Sequence, residues 1–446
     1  MESSLDLHRF QFAFTIAYHY LFPQLTMGLA LLIFLLKSMA LRGAGSEVGE
    51  TANAAVRFWL RIFGVTFVMG VITGIPMEFQ FGTNWSRFSE MSGGVIGQTL
   101  AMEGVFAFFL ESSFLYILLF GEMRFGQRVH WLAALLLWIG TWLSGYFIVC
   151  TNAWMQHPVG YVVGDNGQLH LDSLSALLTN PWAVAEYAHT MVGATITGAF
   201  AMASIGAFYL LRNQSVAVAR RFVSVAIVVG LVASITAAVP TGDIQAKLVR
   251  EHQPITFAAM EGHFHTTDRA GLVILGQPDM QSLELDNPIR IPGALSFLTH
   301  GRWAGEVKGL SDFPRDQWPD NVPFLYYSYH IMAGLGSLFI LLMAVSAVQL
   351  VRGKLWQSRG LLWVLMLSLP FPFIANTAGW MTAELGRQPW LIHGVFRTAD
   401  GYSQQVSPGN VLFTLLGFMG MYTLLSVLYF FITTRIIAAG PEPVSK

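Results

Sequence analysis

Nine stretches of about 20 predominantly apolar residues punctuate the sequence, each long enough to cross a bilayer core as a helix. They fall at roughly 13–37, 58–78, 95–121, 131–151, 182–211, 222–241, 323–350, 361–384 and 409–436. Lipid offers the backbone no hydrogen bonds, so such a segment must satisfy its own, which an α-helix does. Composition agrees: of 446 residues 54% are hydrophobic and 11% charged, against about a quarter charged in soluble domains. The chain is expected to be an all-α polytopic membrane protein, one membrane domain over 1–446. Its one long polar stretch, 242–322, is rich in Pro, Asp, Arg and Gly. There is no internal repeat and no low-complexity tract.

The formal net charge of −1 leaves no basic excess to neutralise phosphates, so nucleic acid is excluded as a partner. A single cysteine, Cys150, rules out an internal disulfide framework, thiolate-bound iron–sulfur clusters and a C-x-x-C-H haem attachment. Any metal must then hang on His, Met or carboxylates. The opening "MESSLDLHRFQF" lacks a basic stretch followed by a short apolar core, so no removable signal peptide is expected. Of the 25 Lys and Arg residues, fourteen fall at one set of span ends, four at the other, and seven in the long loop. Fourteen against four predicts an external N-terminus, a cytoplasmic C-terminus and an external 242–322 loop.

Ionisable residues at membrane depth are costly and mark function by default. His19, His189 in "EYAHTMVGATITGA" and Met332 in "YYSYHIMAGLG" each lie six to nine residues inward from the outer end of a span. That places three possible metal ligands about 9–14 Å deep. Glu384 lies in the same half, near the outer end of the eighth span. In the third span Glu103 and Glu111 step inward, about 12 Å apart along the axis and roughly 80° around it, like rungs of a proton path from the cytoplasm. Each residue has a plainer reading. A lone His bridges helices, a Met fills a gap, and a Glu at a span edge pairs with Arg. Co-occurrence at one depth favours an intramembrane redox site in the outer half. Pro370 and Pro372 should kink the eighth span, and Trp85, Trp182 and Trp390 suit an interfacial belt.

The blocks "QFAFTIAYHYLFP", "GIPMEFQFGTNWS", "MEGVFAFFLESS", "NAWMQHPVG" and "GWMTAELGRQPW" resemble subunit I of cytochrome bd-type quinol oxidases along nearly the whole chain. The resemblance implies that His189 and Met332 are the axial ligands of a low-spin haem b (b558 type). It implies that His19 and Glu384 each bind one of two further haems, a high-spin haem b (b595 type) and a haem d or further haem b. Which residue serves which haem stays open. Glu103 and Glu111 match the family's proton route, Arg387 and Trp380 match residues close to the haems, and Glu261 in "FAAMEGHF" matches the acidic contact of the quinol-binding loop.

Two positions depart from the family pattern: Thr256 stands where Lys is common, and His330 where Arg is common, two residues before Met332. With the short loop, these resemble the cyanide-insensitive branch. The implied function is quinol oxidation at the outer face and oxygen reduction to water with cytoplasmic protons, generating proton motive force in a bacterial inner membrane. The implied partners are a second large subunit (subunit II), a small single-span subunit, quinol, oxygen and lipid. Two rival classes are a non-haem proton transporter and a haem-b subunit that only shuttles electrons.

Overall fold

The computed structural model describes residues 4–442. Among these, nine helices are long and apolar enough to cross a membrane. They are α1 (Ser4–Arg42), α2 (Glu47–Thr83), α3 (Ser86–Phe120), α4 (Glu122–Gln156), α5 (Pro181–Leu211), α6 (Val216–His252), α7 (Val322–Val351), α8 (Arg359–Arg387) and α9 (Pro408–Ala439). Every helix runs past its apolar window, because a helix continues into the interfacial layer where polar side chains are solvated. Three begin with a capping side chain and a proline in the first turn. Asn180 Oδ1 accepts from Trp182 N at 3.0 Å, Asn321 Oδ1 from Phe324 N at 3.0 Å and Ser407 Oγ from Asn410 N at 3.4 Å. Each cap satisfies an otherwise orphaned N–H, and proline costs nothing where no N–H is needed.

Two helices change winding within the membrane. In α3 residues Glu103–Ala107 form a π-helical turn, and in α6 Ala237–Gly242 form another around Pro240. The apolar pattern shows neither. Pro240 lacks an N–H, and the wider winding lets the helix absorb that without ending. Consequently α6 continues to His252, eleven residues beyond the expected boundary at 241, and the non-helical loop starts later than 242. The extension is polar and carries a Lys247–Asp243 pair at 2.6 Å. The eighth span breaks as expected, into Arg359–Leu367 and Pro370–Arg387.

The spans are all helical, and the loops between them are partly ordered. Three short antiparallel hairpins occupy the loops: β1–β2 (Tyr161–Val163, Leu169–Leu171), β3–β4 (Leu272–Asp279, Glu284–Ile291) and β5–β6 (Trp390–Ile392, Phe396–Arg397). All three lie at the bundle end that receives the C-termini of α4, α6 and α8, outside the apolar windows, where water can satisfy strand edges.

The core is a column of fully buried side chains, among them Leu29, Phe58, Trp59, Phe63, Phe200, Phe222 and Met343, drawn from α1, α2, α5, α6 and α7. At its centre α1 and α5 touch through backbone. A Cβ built on Gly198 would lie 3.0 Å from Gly28 Cα, so no larger residue fits. At the opposite end from the hairpins, Lys37 is wholly buried. Its Nζ donates to Asn53 Oδ1 at 2.9 Å and Glu122 Oε1 at 3.1 Å, tying α1, α2 and α4 together. Lys37 is thus a structural cation and not a free loop charge.

Candidate redox site

Both candidate histidines are held in the same way. His19 Nδ1 lies 2.9 Å from Thr73 Oγ1 on α2. The Thr73 hydroxyl donates to Met69 O at 2.8 Å, so its oxygen accepts from the ring and the proton sits on Nδ1. His189 Nδ1 lies 3.1 Å from Thr241 Oγ1, whose hydroxyl donates to Thr236 O at 3.0 Å. In each ring Nε2 therefore keeps its lone pair, the form in which imidazole binds a metal while its other N–H is anchored. Thr241 belongs to the π-helical turn of α6, so that turn is what presents the hydroxyl to His189.

Met332 on α7 faces α8, where a Cβ on Gly379 would come within 2.8 Å of its Sδ. The thioether occupies space that only a glycine leaves. α7 packs on α8 and on α6, including the π-helical turn beside His189, so the His189 and Met332 helices meet around one element. His330, two residues away, points elsewhere. Its ring lies against Tyr326, centroids 3.9 Å apart and planes tilted by 32°, with Nδ1 2.9 Å from Tyr326 O and Nε2 3.3 Å from Val273 O on β3. A neutral imidazole can donate to only one of these carbonyls.

Glu384 sits in the last turn of α8. Asn152 Nδ2 donates to its Oε1 at 2.6 Å, and Arg387 Nη2 pairs with Oε2. The Glu384 side chain is 40% exposed while Arg387 is 3% exposed. Arg387 is thus not a surface cation. Its Nε and Nη1 are buried with no partner among the described residues, donors left for an anionic group. Trp380, one turn earlier, packs edge-on against Tyr20 with ring centroids 5.7 Å apart, which brings α8 beside the His19 turn of α1.

On α3 the two acids face α4: Ser144 Oγ donates to Glu103 Oε1 at 3.1 Å, and a Cβ on Gly140 would meet Glu111 Cγ at 3.2 Å. The 80° offset expected for a regular helix is corrected by the π-helical turn between them. One inserted residue takes up about 100°, bringing the carboxylates within about 20° of each other around the axis.

Glu261 follows the short helix Pro254–Met260 and is 3% exposed, with Oε2 unpartnered. Burial pushes its carboxyl up to about 7, and Tyr329 pulls the other way. Thr256, where the family often has Lys, is buried and donates to Gly386 O at 2.6 Å, seating that helix on the C-terminal end of α8.

Sequence reasoning missed Glu186. It is 6% exposed, its carboxyl oxygens have no well-formed hydrogen bond among the described residues, and its polar neighbours are Trp182, Glu384 and Arg387. Its signal was present: it precedes His189 by three residues, on the same face of α5.

No three His, Cys, Asp or Glu side chains converge among the described residues. Each candidate ligand stands singly or with one Met, which fits an iron whose remaining donors come from a porphyrin and not a protein-built cage. The sequence profile described as "Cytochrome bd terminal oxidase subunit I" matches residues 7–441. The chain belongs to that family. It is accordingly a terminal-oxidase subunit, an oxidoreductase outside the haem-copper class. Among its relatives is the "Cytochrome bd ubiquinol oxidase subunit 1" of Bacillus subtilis (strain 168), 35% identical over 99% of this chain and 95% of the relative. The "Cytochrome bd-II ubiquinol oxidase subunit 1" of Escherichia coli (strain K12) is 32% identical over 99% and 98%. The solved bd oxidase from Geobacillus thermodenitrificans superposes with a TM-score of 0.91 at 30% identity, covering 98% of this chain and 99% of that one. The family implies haem cofactors and a second subunit.

Proposed function

We propose that this quinol oxidase subunit binds quinol beside Glu261 at the outer face and holds three haems, at His189/Met332, His19 and Glu384. The quinol assignment rests on the relatives' printed names. The ligand assignment rests on the shared histidine–threonine geometry, which leaves Nε2 of both His19 and His189 free to bind iron. When bound, the haems supply one-electron transfer and an open iron position for oxygen. The chain's own residues then do the rest. Glu261, largely neutral below about pH 7, accepts a proton from quinol once ionised and passes it outward. Thr73 and Thr241 fix the ring tautomers. Arg387, whose Nε and Nη1 are unpartnered among the described residues, would hold an anionic substituent of the haem set, and Trp380 walls the space between α1 and α8. Glu111 and then Glu103 hold protons against α4, along a line from the cytoplasmic side toward the outer-half site. Electrons and protons reaching one site from opposite faces separate charge across a bacterial cytoplasmic membrane, with the N-terminus outside. The proposed assembly includes subunit II and a small single-span subunit. The third haem is a d or a further b.

A reduced-minus-oxidised optical spectrum of the purified complex tests this directly, with Met332→Leu as the comparison. Low-spin b-type bands should be present in the wild type and lost in the variant, together with quinol oxidation, while a carbon-monoxide-binding haem persists. No haem bands would leave a proton transporter. Low-spin haem alone would leave an electron shuttle.

A further inference from the structure

A cavity of about 610 Å³ opens on the bundle flank where α1, α4 and α6 meet, at the end opposite the hairpins and remote from the candidate haem ligands. Its lining changes character along its length. Arg42 and Arg221 stand at the helix-end margin, with Trp131 and Ser38 just inside, joined by a hydrogen bond from Trp131 Nε1 to Ser38 Oγ at 2.8 Å. Deeper, the walls are Phe34 and Leu35 of α1 and Val225, Val228 and Val229 of α6. α1 runs toward this end and α6 away from it. The eight residues from Phe34 to Arg42 and from Arg221 to Val229 therefore describe the same gradient, about 12 Å from cation to apolar floor.

The charge at the mouth is uncompensated. Neither arginine has an ion-pair or hydrogen-bond partner among the described residues, and no acidic side chain lines the cavity. Arg221 Nε is buried from solvent and unsatisfied. A buried guanidinium N–H without an acceptor costs free energy, and the nearest remedy is an anion at the cavity mouth. Val228 is 56% exposed, so the floor opens to the lipid side of the bundle and not into its core.

We propose that this cavity is a binding site for one anionic phospholipid. Its phosphate is held by Arg221 and Arg42, its glycerol region lies near Ser38 and Trp131, and one acyl chain lies along Phe34 and Val228. A head-group anion alone would leave the apolar floor unfilled, and an uncharged lipid would leave both arginines unpaired. The pairing of two cations with a one-sided apolar slot fits the whole amphiphile.

The test uses the intact oxidase complex in detergent, stripped of loose lipid and then exposed to phosphatidylglycerol or phosphatidylcholine. Retained lipid is counted by native mass spectrometry. Phosphatidylglycerol should be retained in preference to phosphatidylcholine. Arg42→Gln with Arg221→Gln should lower its retention about tenfold or more, the loss expected for charge-assisted hydrogen bonds. Val228→Trp should lower it too by filling the slot while leaving both charges in place. Unchanged haem spectra in both variants show that they are folded. Equal retention of the two lipids would overturn the proposal, as would undiminished phosphatidylglycerol in both variants. So would displacement of the lipid by inorganic phosphate alone, which would make the site a phosphate site only.

Discussion

At the scale of single residues, the acids divide by how they are satisfied. Glu384 is engaged at both oxygens, by Asn152 and Arg387. Glu261 and Glu186 keep orphaned oxygens in buried surroundings. An unpaired carboxylate is far costlier to bury than a neutral acid, which is why Glu261 is raised to about 7. The folded value lies above the ordinary one, so the stability that Glu261 contributes is fully present below about pH 4.5 and is lost as pH rises through about 7. The same titration should govern quinol handling. The kcat/KM for quinol should inflect near pH 7 in the wild type, because the ionised form is the proton acceptor. Glu261→Gln should lower kcat/KM above pH 7 by 10²-fold or more, on the order of a lost general base, and flatten the profile. An inflection near pH 7 that survives in Glu261→Gln would remove Glu261 from the quinol step.

At the scale of elements, both π-helical turns coincide with candidate site residues, and this is where sequence reading stopped. Nine spans and the break at Pro370 were legible, because apolar length and the position of a proline are linear in sequence. A change of winding is not. It swaps backbone partners without altering the apolar pattern, so the near-alignment of Glu103 with Glu111 and the reach of Thr241 to His189 could not be read. Lys37 was invisible for a related reason: a cation near a span end reads as a loop charge unless its three-helix partners are seen. Glu186 stood in plain view but beside the expected start of a span, where a Glu looks interfacial. The Thr241 contact yields a sharp expectation. Thr241→Val removes the acceptor for His189 Nδ1–H, and loss of such an outer partner typically costs 10–100-fold in metal affinity. Low-spin haem content per complex, measured by pyridine haemochrome, should fall in Thr241→Val and return in Thr241→Ser. Full occupancy in the Val variant would mean the ring is positioned by packing alone.

At the scale of the whole molecule, the two ends of the bundle differ in kind. One end carries the hairpins, the helix before Glu261, the C-terminal ends of α4 and α8 and the N-terminal ends of α5 and α7. The other carries Arg42, Arg124, Arg212 and Arg352, each at or just past a span end, and the arginine-lined cavity. Alternating spans force this sorting, so a single fact about sidedness assigns every loop. The excess of basic residues predicts a cytoplasmic arginine end, and the proposed chemistry needs that assignment, since quinol protons must leave from the face opposite the one supplying protons through Glu111. Buried Cys150 is the chain's one cysteine, which makes the test clean. In a Cys150→Ser background, one cysteine is introduced at Asp165, in the β1–β2 turn, or at Asn213, between α5 and α6. A membrane-impermeant maleimide added to intact cells should label the Asp165→Cys protein. The Asn213→Cys protein should react only after the membrane is opened. The reverse pattern would invert the bundle, place Glu261 in the cytoplasm and abolish charge separation by protons and electrons converging from opposite faces.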